Sequence, residues 1–385
     1  MRAAVIAIGV LFAATALAQV SLPLPPMADR LPRPREAIAT NDGGVQRQAF
    51  AFAGREDRIA AGVRPQSTCE TLPGVKPIEY IVERTRGAQI VMINEAHDSP
   101  RDRRFIEDLA VELSKLDFST YAAETLYGGE PSTPGKFARI TDGYYLNEPA
   151  FGSLYRRIAA LGYKLVPYED AAPALQGRHF TESINARETV QSSNLINRTV
   201  RLDPSMKVLV HVGHGHNQES AARIDGREVR WMATRFKEIT GIDPLTIDQT
   251  LFSADADGVC AQSSSAGQSR DIFIARSPLT FDRSRPVWRV AAGQRLVDVP
   301  QTLRQPGART IYEARFANEP DDAVPVDRVL VDPGEDIPLL LPPGRFKVRG
   351  WTASGGWSEN VTVTVAAPRP PPPANAKSKQ RRKKQ

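Results

Sequence analysis

Between residues 75 and 280, short apolar runs alternate with stretches whose apolar side chains recur every three or four positions. The runs are AQIVMI, STYAAE, YKLVPY, KVLVHV and PLTIDQ; the periodic stretches include RRFIEDLAVELSKL, FGSLYRRIAALG, NARETVQSSNLINRTV and VRWMATRFKEITG. Runs bounded by turn residues read as buried strands and the longer spacing as helices. The order therefore predicts an α/β fold, with a mainly parallel central sheet flanked by helices. In the first helix Ser99 is placed to cap, Pro100 fits the first turn, and Asp102 follows three residues after the cap. Strand one then ends near Asn94, and Phe105, Leu109, Leu113 and Leu116 face the sheet.

After SRDIFIARSP the pattern changes to short strands separated by Pro and Gly, among them TIYEARF, RVLVD, GRFKVRGW and NVTVTVA. This predicts a small β-sandwich over residues 285–366. It carries no ionisable cluster of a catalytic kind, so it reads as a packing module or, through Trp351 and Trp357, as a wall- or glycan-binding one.

The chain ends differ from the middle. Residues 1–18 combine a basic start, an apolar run short of the roughly 20 residues of a membrane span, and Ala16-Leu17-Ala18. They read as a signal peptide cut after Ala18, which predicts a periplasmic or secreted protein. Residues 19–74 are rich in Pro, Arg and Ala and read as an extended leader without assigned function. In an oxidising compartment Cys69 and Cys260, which flank the α/β region, are candidates for a disulfide. The net charge is +6, yet the tail at 367–385 holds seven bases and no acids, leaving the remainder close to neutral. No nucleic-acid partner is expected; the tail reads as disordered and suited to loose contact with anionic lipid or cell-wall polymer.

In a parallel sheet the strands' carboxyl ends share one edge, where ligands bind. Strand one ends INEAHD, strand two AAET, strand three PYED, and the fourth VGHGH, so each delivers an acid or an imidazole to that edge. Glu95 and His97, two apart, turn to the same side; Glu124 approaches from the neighbouring strand; His214 and His216 share a side, and His211, of opposite parity, reads as a core histidine. Such carboxylates and imidazoles suit a divalent metal (Mn, Fe, Co or Zn) ligated by Glu95, His97, Glu124 and His216. They equally suit metal-free hydrolysis with His97 or Glu95 as general base on water. Arg187, Gln191 and Asn194 lie at i, i+4, i+7 on the helix before strand four; Arg187 there suits a bidentate contact with a carboxylate or phosphate. Tyr168 and Glu169 stand behind the edge, and His179 falls in a loop. No G-x-S-x-G, H-E-x-x-H or C-x-x-C-H occurs, which leaves water as the nucleophile.

INEAHD, AAET and VGHGH, in this order, resemble the superfamily of erythromycin esterases, ChaN-like haem-binding uptake proteins and Tiki/TraB proteases. Its G-E-x-H is matched by Glu95 and His97 with Asn94 for the glycine, its second-strand glutamate by Glu124, and its late G-x-x-H by Gly213 and His216. The resemblance covers residues 77–249 and implies an exported hydrolase of ester or amide bonds acting on a small-molecule or peptide substrate. It also implies two alternatives: a haem-binding uptake protein, with His214, His216 or a tyrosine such as Tyr168 at the cofactor, and an inactive envelope scaffold.

Overall fold

The computed structural model describes residues 43–60, 67–126, 129–169, 179–261, 264–265 and 268–367. The signal-peptide reading of residues 1–18 and the disordered reading of the tail beyond residue 367 lie outside these. Six parallel strands, β1 (Ile90–Glu95), β2 (Thr120–Ala123), β3 (Lys164–Pro167), β4 (Val208–Gly213), β5 (Leu245–Ser253) and β6 (Ile272–Arg276), form the body of the central sheet in the order β3-β2-β4-β1-β5-β6, and the short segment Ser67–Thr68 pairs with β5, also parallel. An antiparallel pair of residues, Gly258–Val259, borders β6. Helices precede and separate them: α1 (Gly43–Phe52), α2 (Glu56–Ala60), α3 (Pro77–Arg84), α4 (Pro100–Ser114), α5 (Pro149–Ala160), α6 (Phe180–Arg198) and α7 (Met232–Thr240).

Both β1 and β4 are buried along their whole length, which is why their sequences are continuously apolar rather than alternating. Val91 and Ile93 pack with Ile106, Leu109 and Leu113 of α4 and Phe151 of α5, while Ile90 and Met92 pack on the other face with Leu195 of α6 and Phe236 of α7. The helices thus cover both faces, the α/β layering expected. Ser99 does occupy the cap position of α4, with Pro100 after it, but its side chain makes no capping bond. Asp102 instead turns back to accept the Ala96 N–H at 3.0 Å. The buried stripe of α4 runs through Ile106, Leu109, Ala110 and Leu113, with Phe105 and Leu116 only at its margin.

The C-terminal part holds antiparallel strands β7 (Thr310–Phe316), β8 (Asp327–Val331), β9 (Leu339–Leu341), β10 (Gly344–Thr352) and β11 (Val361–Val365). A sheet ordered β8-β7-β10-β11 shares one core with the ribbon of β9 and Arg295–Val297, built on Tyr312, Val329, Leu339, Leu341, Phe346 and Val348. Trp351 packs against Ala53 rather than standing free.

The leader departs from the extended chain expected of residues 19–74. Its Ala-Phe-rich run, Ala49 to Ala53, is buried in and after α1, and Gly54 crosses β8 so closely that a Cβ there would lie 1.9 Å from the Arg328 carbonyl oxygen. With φ at +65°, that position suits only glycine. Arg55 then pairs with Asp57 and Glu335 at 2.9 and 2.7 Å. All five residues of this run are apolar, so the pattern does not say which surface buries it, and burial by the C-terminal sheet is not legible in it.

Cys69 and Cys260 are disulfide-bonded, 191 residues apart. Closing so long a loop removes much unfolded-chain entropy. A Cys69→Ser, Cys260→Ser double variant is expected to lose about 2–5 kcal/mol of stability in a denaturant titration; an unchanged midpoint would show that the bridge constrains nothing.

Candidate active site

Parallel pairing sets Glu95 beside Gly213 and Ile93 beside His211 across β1 and β4. Glu124, one residue past β2, donates its backbone N–H to the His211 carbonyl at 3.3 Å, which brings its side chain to the same edge. Glu95, His97 and Glu124 line one crevice, in two carboxylate clusters with His97 between them, while His216 does not line it.

The first cluster centres on Glu95, only 2% exposed. Its Oε2 and Oε1 accept from Arg103 Nε and Nη2 at 2.7 and 3.0 Å, and Oε1 lies 3.1 Å from His97 Nδ1. Burial alone would raise the Glu95 pKa, but Arg103 and then His211 overcome it and hold the group well below the usual carboxylate range. His211 is buried, as expected of a core histidine, stacked on Phe151 with Nδ1 2.6 Å from the Tyr121 hydroxyl. Yet its Nε2 is 3.0 Å from Glu95 Oε2, in ion-pair range though off hydrogen-bond alignment, so it belongs to the site. Parity along β4 had separated it from the edge, whereas the register with β1 places it on the face of Glu95.

The second cluster centres on Glu124. Its Oε1 accepts from Arg187 Nη2 at 2.5 Å and its Oε2 from the Gly213 N–H at 2.7 Å. Here too burial opposes the charge, and Arg187, followed by His216 and His97, wins, lowering the pKa strongly. Arg187 also holds Glu169 through Nε and Nη2 at 3.2 and 2.7 Å. The bidentate carboxylate contact anticipated for Arg187 is thus made within the chain. Gln191 donates to Glu169, and Asn194 donates to the Tyr168 carbonyl at 3.1 Å.

His216 Nε2 is 3.2 Å from Arg187 Nη1, and its Nδ1 is 2.7 Å from Glu188 Oε1. Burial lowers the His216 pKa, but Glu188 more than offsets this and the net shift is upward. Strand parity does not relate His214 to His216, because β4 stops at Gly213 and His214 turns into the left-handed region at φ 42°. His214 meets the His97 ring edge-on at 4.7 Å. Burial, with the nearby His97, pushes its pKa down to about 4. Tyr168 is fully buried, and its hydroxyl donates to the His211 carbonyl at 2.8 Å, a scaffold bond rather than a cofactor contact. His179 is the N-cap of α6, accepting from the Thr181 N–H at 3.3 Å.

His97 lies over Gly213. A Cβ on that glycine would meet His97 Cε1 at 2.4 Å, and both His97 Nε2 and Glu124 Oε2 at 2.7 Å. Nδ1 therefore faces Glu95 while Nε2 faces the crevice beside Glu124. Tyr145 stacks on the imidazole at 4.0 Å. A small cavity lies among Glu95, His97, Glu124 and Tyr145, with room for about one water. It suits a water beside the His97 ring.

As for a divalent metal, the four proposed ligands do not form a free donor set, since Arg103 pairs Glu95, Arg187 pairs Glu124, and His216 sits between Arg187 and Glu188. Among the described residues no group of three or more His, Cys, Asp or Glu is arranged to hold a metal. Asn94, where the resembled motif has glycine, bonds across to β5: Nδ2 donates to Asp248 Oδ2 at 2.7 Å and Oδ1 accepts the Gln249 N–H at 2.9 Å. That clamp fixes the end of β1.

No known family and no curated protein matches this chain. Among solved structures it is similar to the type III effector HopBA1, at 14% identity and TM-score 0.39, over 56% of this chain and all of that one. It is also similar to RRSP, a MARTX toxin effector domain from Vibrio vulnificus, at 13% identity and TM-score 0.34, over 63% of this chain and 47% of the other. A variant of the erythromycin esterase EreC in its open conformation matches at 11% identity and TM-score 0.19, over 87% and 66%. The chain spans under half the length of the RRSP domain, and with TM-scores below 0.5 none of these likenesses bears on its chemistry.

A His with a depressed pKa favours folding fully above its unfolded value near 6.5 and loses that contribution as pH falls toward its folded value, about 4 for His214. His214→Asn keeps a side chain that tolerates positive φ. Its thermal midpoint is expected to fall less than that of the wild type between pH 6.5 and 4; parallel curves would contradict the shift.

Proposed function

We propose that this chain is a hydrolase in which His97, oriented by Glu95, takes a proton from water as that water attacks an ester or amide carbonyl. The observation that carries this reading is the His97 geometry: Nδ1 is 3.1 Å from a buried, arginine-held carboxylate, while Nε2 faces the crevice next to Glu124. A carboxylate on Nδ1 fixes the tautomer that leaves Nε2 able to accept a proton. The imidazolium so formed lies between the Glu95 and Glu124 carboxylates, and the same proton is then available to the leaving group. Glu124 itself is fully engaged by Arg187 and the Gly213 N–H, so its role is to place charge rather than to act as base.

The resemblance of the strand-end motifs to erythromycin esterases supports the reaction class, with a small-molecule or peptide substrate, and the small cavity beside His97 supports a place for the attacking water. The metal-assisted form has less support, because both carboxylates are arginine-paired. Haem binding has less support because the cavity is smaller than a macrocycle requires. The disulfide supports an oxidising compartment, in keeping with export.

The test is hydrolysis of a panel of chromogenic esters and peptide amides by wild type, His97→Ala and Gly213→Ala. His97→Ala is expected to lower kcat by about 10²–10⁴-fold with a near-unchanged thermal midpoint. Gly213→Ala should lower it too, by displacing the imidazole. Turnover equal to the wild type in His97→Ala would overturn the reading.

A further inference from the structure

The geometry points to the C-terminal β-domain as part of the site: Arg328 on β8 is a positioning residue for His97, acting through the segment Tyr144–Glu148. The inference rests on the hydrolase reading for its kinetic arm only.

Arg328 is 1% exposed and pairs through Nε with Glu313 at 2.8 Å, an acid that is itself fully buried. Its Nη1 leaves the β-domain and donates to two carbonyls of other parts of the chain: Phe52 in the leader at 3.0 Å and Asn147 at 3.1 Å. Asn147 ends the short turn Tyr145–Asn147 that precedes α5. Two routes run from this turn to the site. Tyr145 stacks directly on the His97 ring, 4.0 Å away and 14° from parallel. Glu148 caps α5 by accepting the Ala150 and Phe151 N–H groups at 2.9 and 3.0 Å, and takes Arg103 Nη1 at 3.0 Å. Arg103 in turn holds Glu95, which holds Nδ1 of His97.

The leader reaches the same turn independently, as Tyr144 meets Phe52 edge-on at 5.4 Å. The connecting chain just upstream is sewn to the β-domain as well, with Ile140 donating to the Asp322 carbonyl and Val324 to that of Ala138, both at 2.9 Å. Val324 completes the core of the α/β domain. A guanidinium with two interdomain carbonyls and a buried acid is fixed in place. It therefore fixes the turn, and the turn holds the imidazole between a ring and a carboxylate.

The experiment compares Arg328→Met, Tyr144→Ala, Tyr145→Leu and the Arg328→Met, Tyr145→Leu double variant in the full chain. One readout is kcat and KM on the best ester of the panel. The other is the rate at which diethyl pyrocarbonate modifies His97, mapped by mass spectrometry. Arg328→Met and Tyr145→Leu are each expected to lower kcat about tenfold with little change in KM, and the double variant to fall no further than the worse single. His97 should be modified several-fold faster in Arg328→Met and Tyr144→Ala than in the wild type. Multiplying losses in kcat, or an unchanged His97 modification rate in both variants, would overturn the inference. A wild type without turnover on any substrate defeats the hydrolase reading alone, and the modification rate then decides positioning. If Arg328→Met fails to fold, the half-exposed Tyr144→Ala decides it by the same rate.

Discussion

A guanidinium with no exposed surface, that of Arg103, lies between Glu95 and Glu148, and the site depends on this one buried charge. Removing ions from water costs several kcal/mol each, and attraction in the interior offsets that only with near-ideal geometry. Here the geometry is supplied by two parallel N–H donors on Glu95 and a third on Glu148. Breaking such a pair leaves an uncompensated charge at about 3–5 kcal/mol, so the carboxylate at the end of β1 stays ionised and in place. Its position then fixes the tautomer of His97, the entry of α5 through its Glu148 cap, and the orientation of His211.

The other side of the crevice repeats the device. Arg187 grips Glu124 and Glu169, which ties the ends of β2 and β3 to α6, and Gly213 supplies the gap into which His97 fits. Tyr145 on one face and Glu95 at Nδ1 hold the His97 imidazole, while its Nε2 lies beside Glu124. A sheet edge that merely gathered acids and imidazoles would have repelled or neutralised them. The two buried arginines let the acids remain charged at close quarters, at the cost of engaging them.

The fold was legible because parallel strands buried on both faces leave continuous apolar runs, and amphipathic helices leave a stripe; Ile90–Glu95 and α4 are examples. The acids and His97 were legible because they stand at strand ends. Arg103 was not singled out, since an arginine near a helix start reads as surface. A signal was present, however: Arg103, Ile106, Ala110 and Leu113 fall on one buried face, so the arginine occupies an apolar position. Tyr145 sits in an irregular segment with no period to place it. Strand parity placed His211 in the core, where it lies, but missed its approach to Glu95 and could not relate His214 to His216, because it says nothing about register between strands or about where a strand stops. The leader's burial depends on contacts with residues almost 300 positions away, such as Arg55 with Glu335, which no local pattern reports.

The orientation of His97 by Glu95 is tested most directly by the tautomer of neutral His97, read from its ring nitrogen resonances in ¹⁵N-labelled protein and assigned with His97→Ala. A proton on Nδ1, donated to Glu95, and a bare Nε2 facing the crevice are expected. A proton on Nε2 with Nδ1 bare would contradict it, because that imidazole could neither be oriented by the carboxylate nor accept a proton from water.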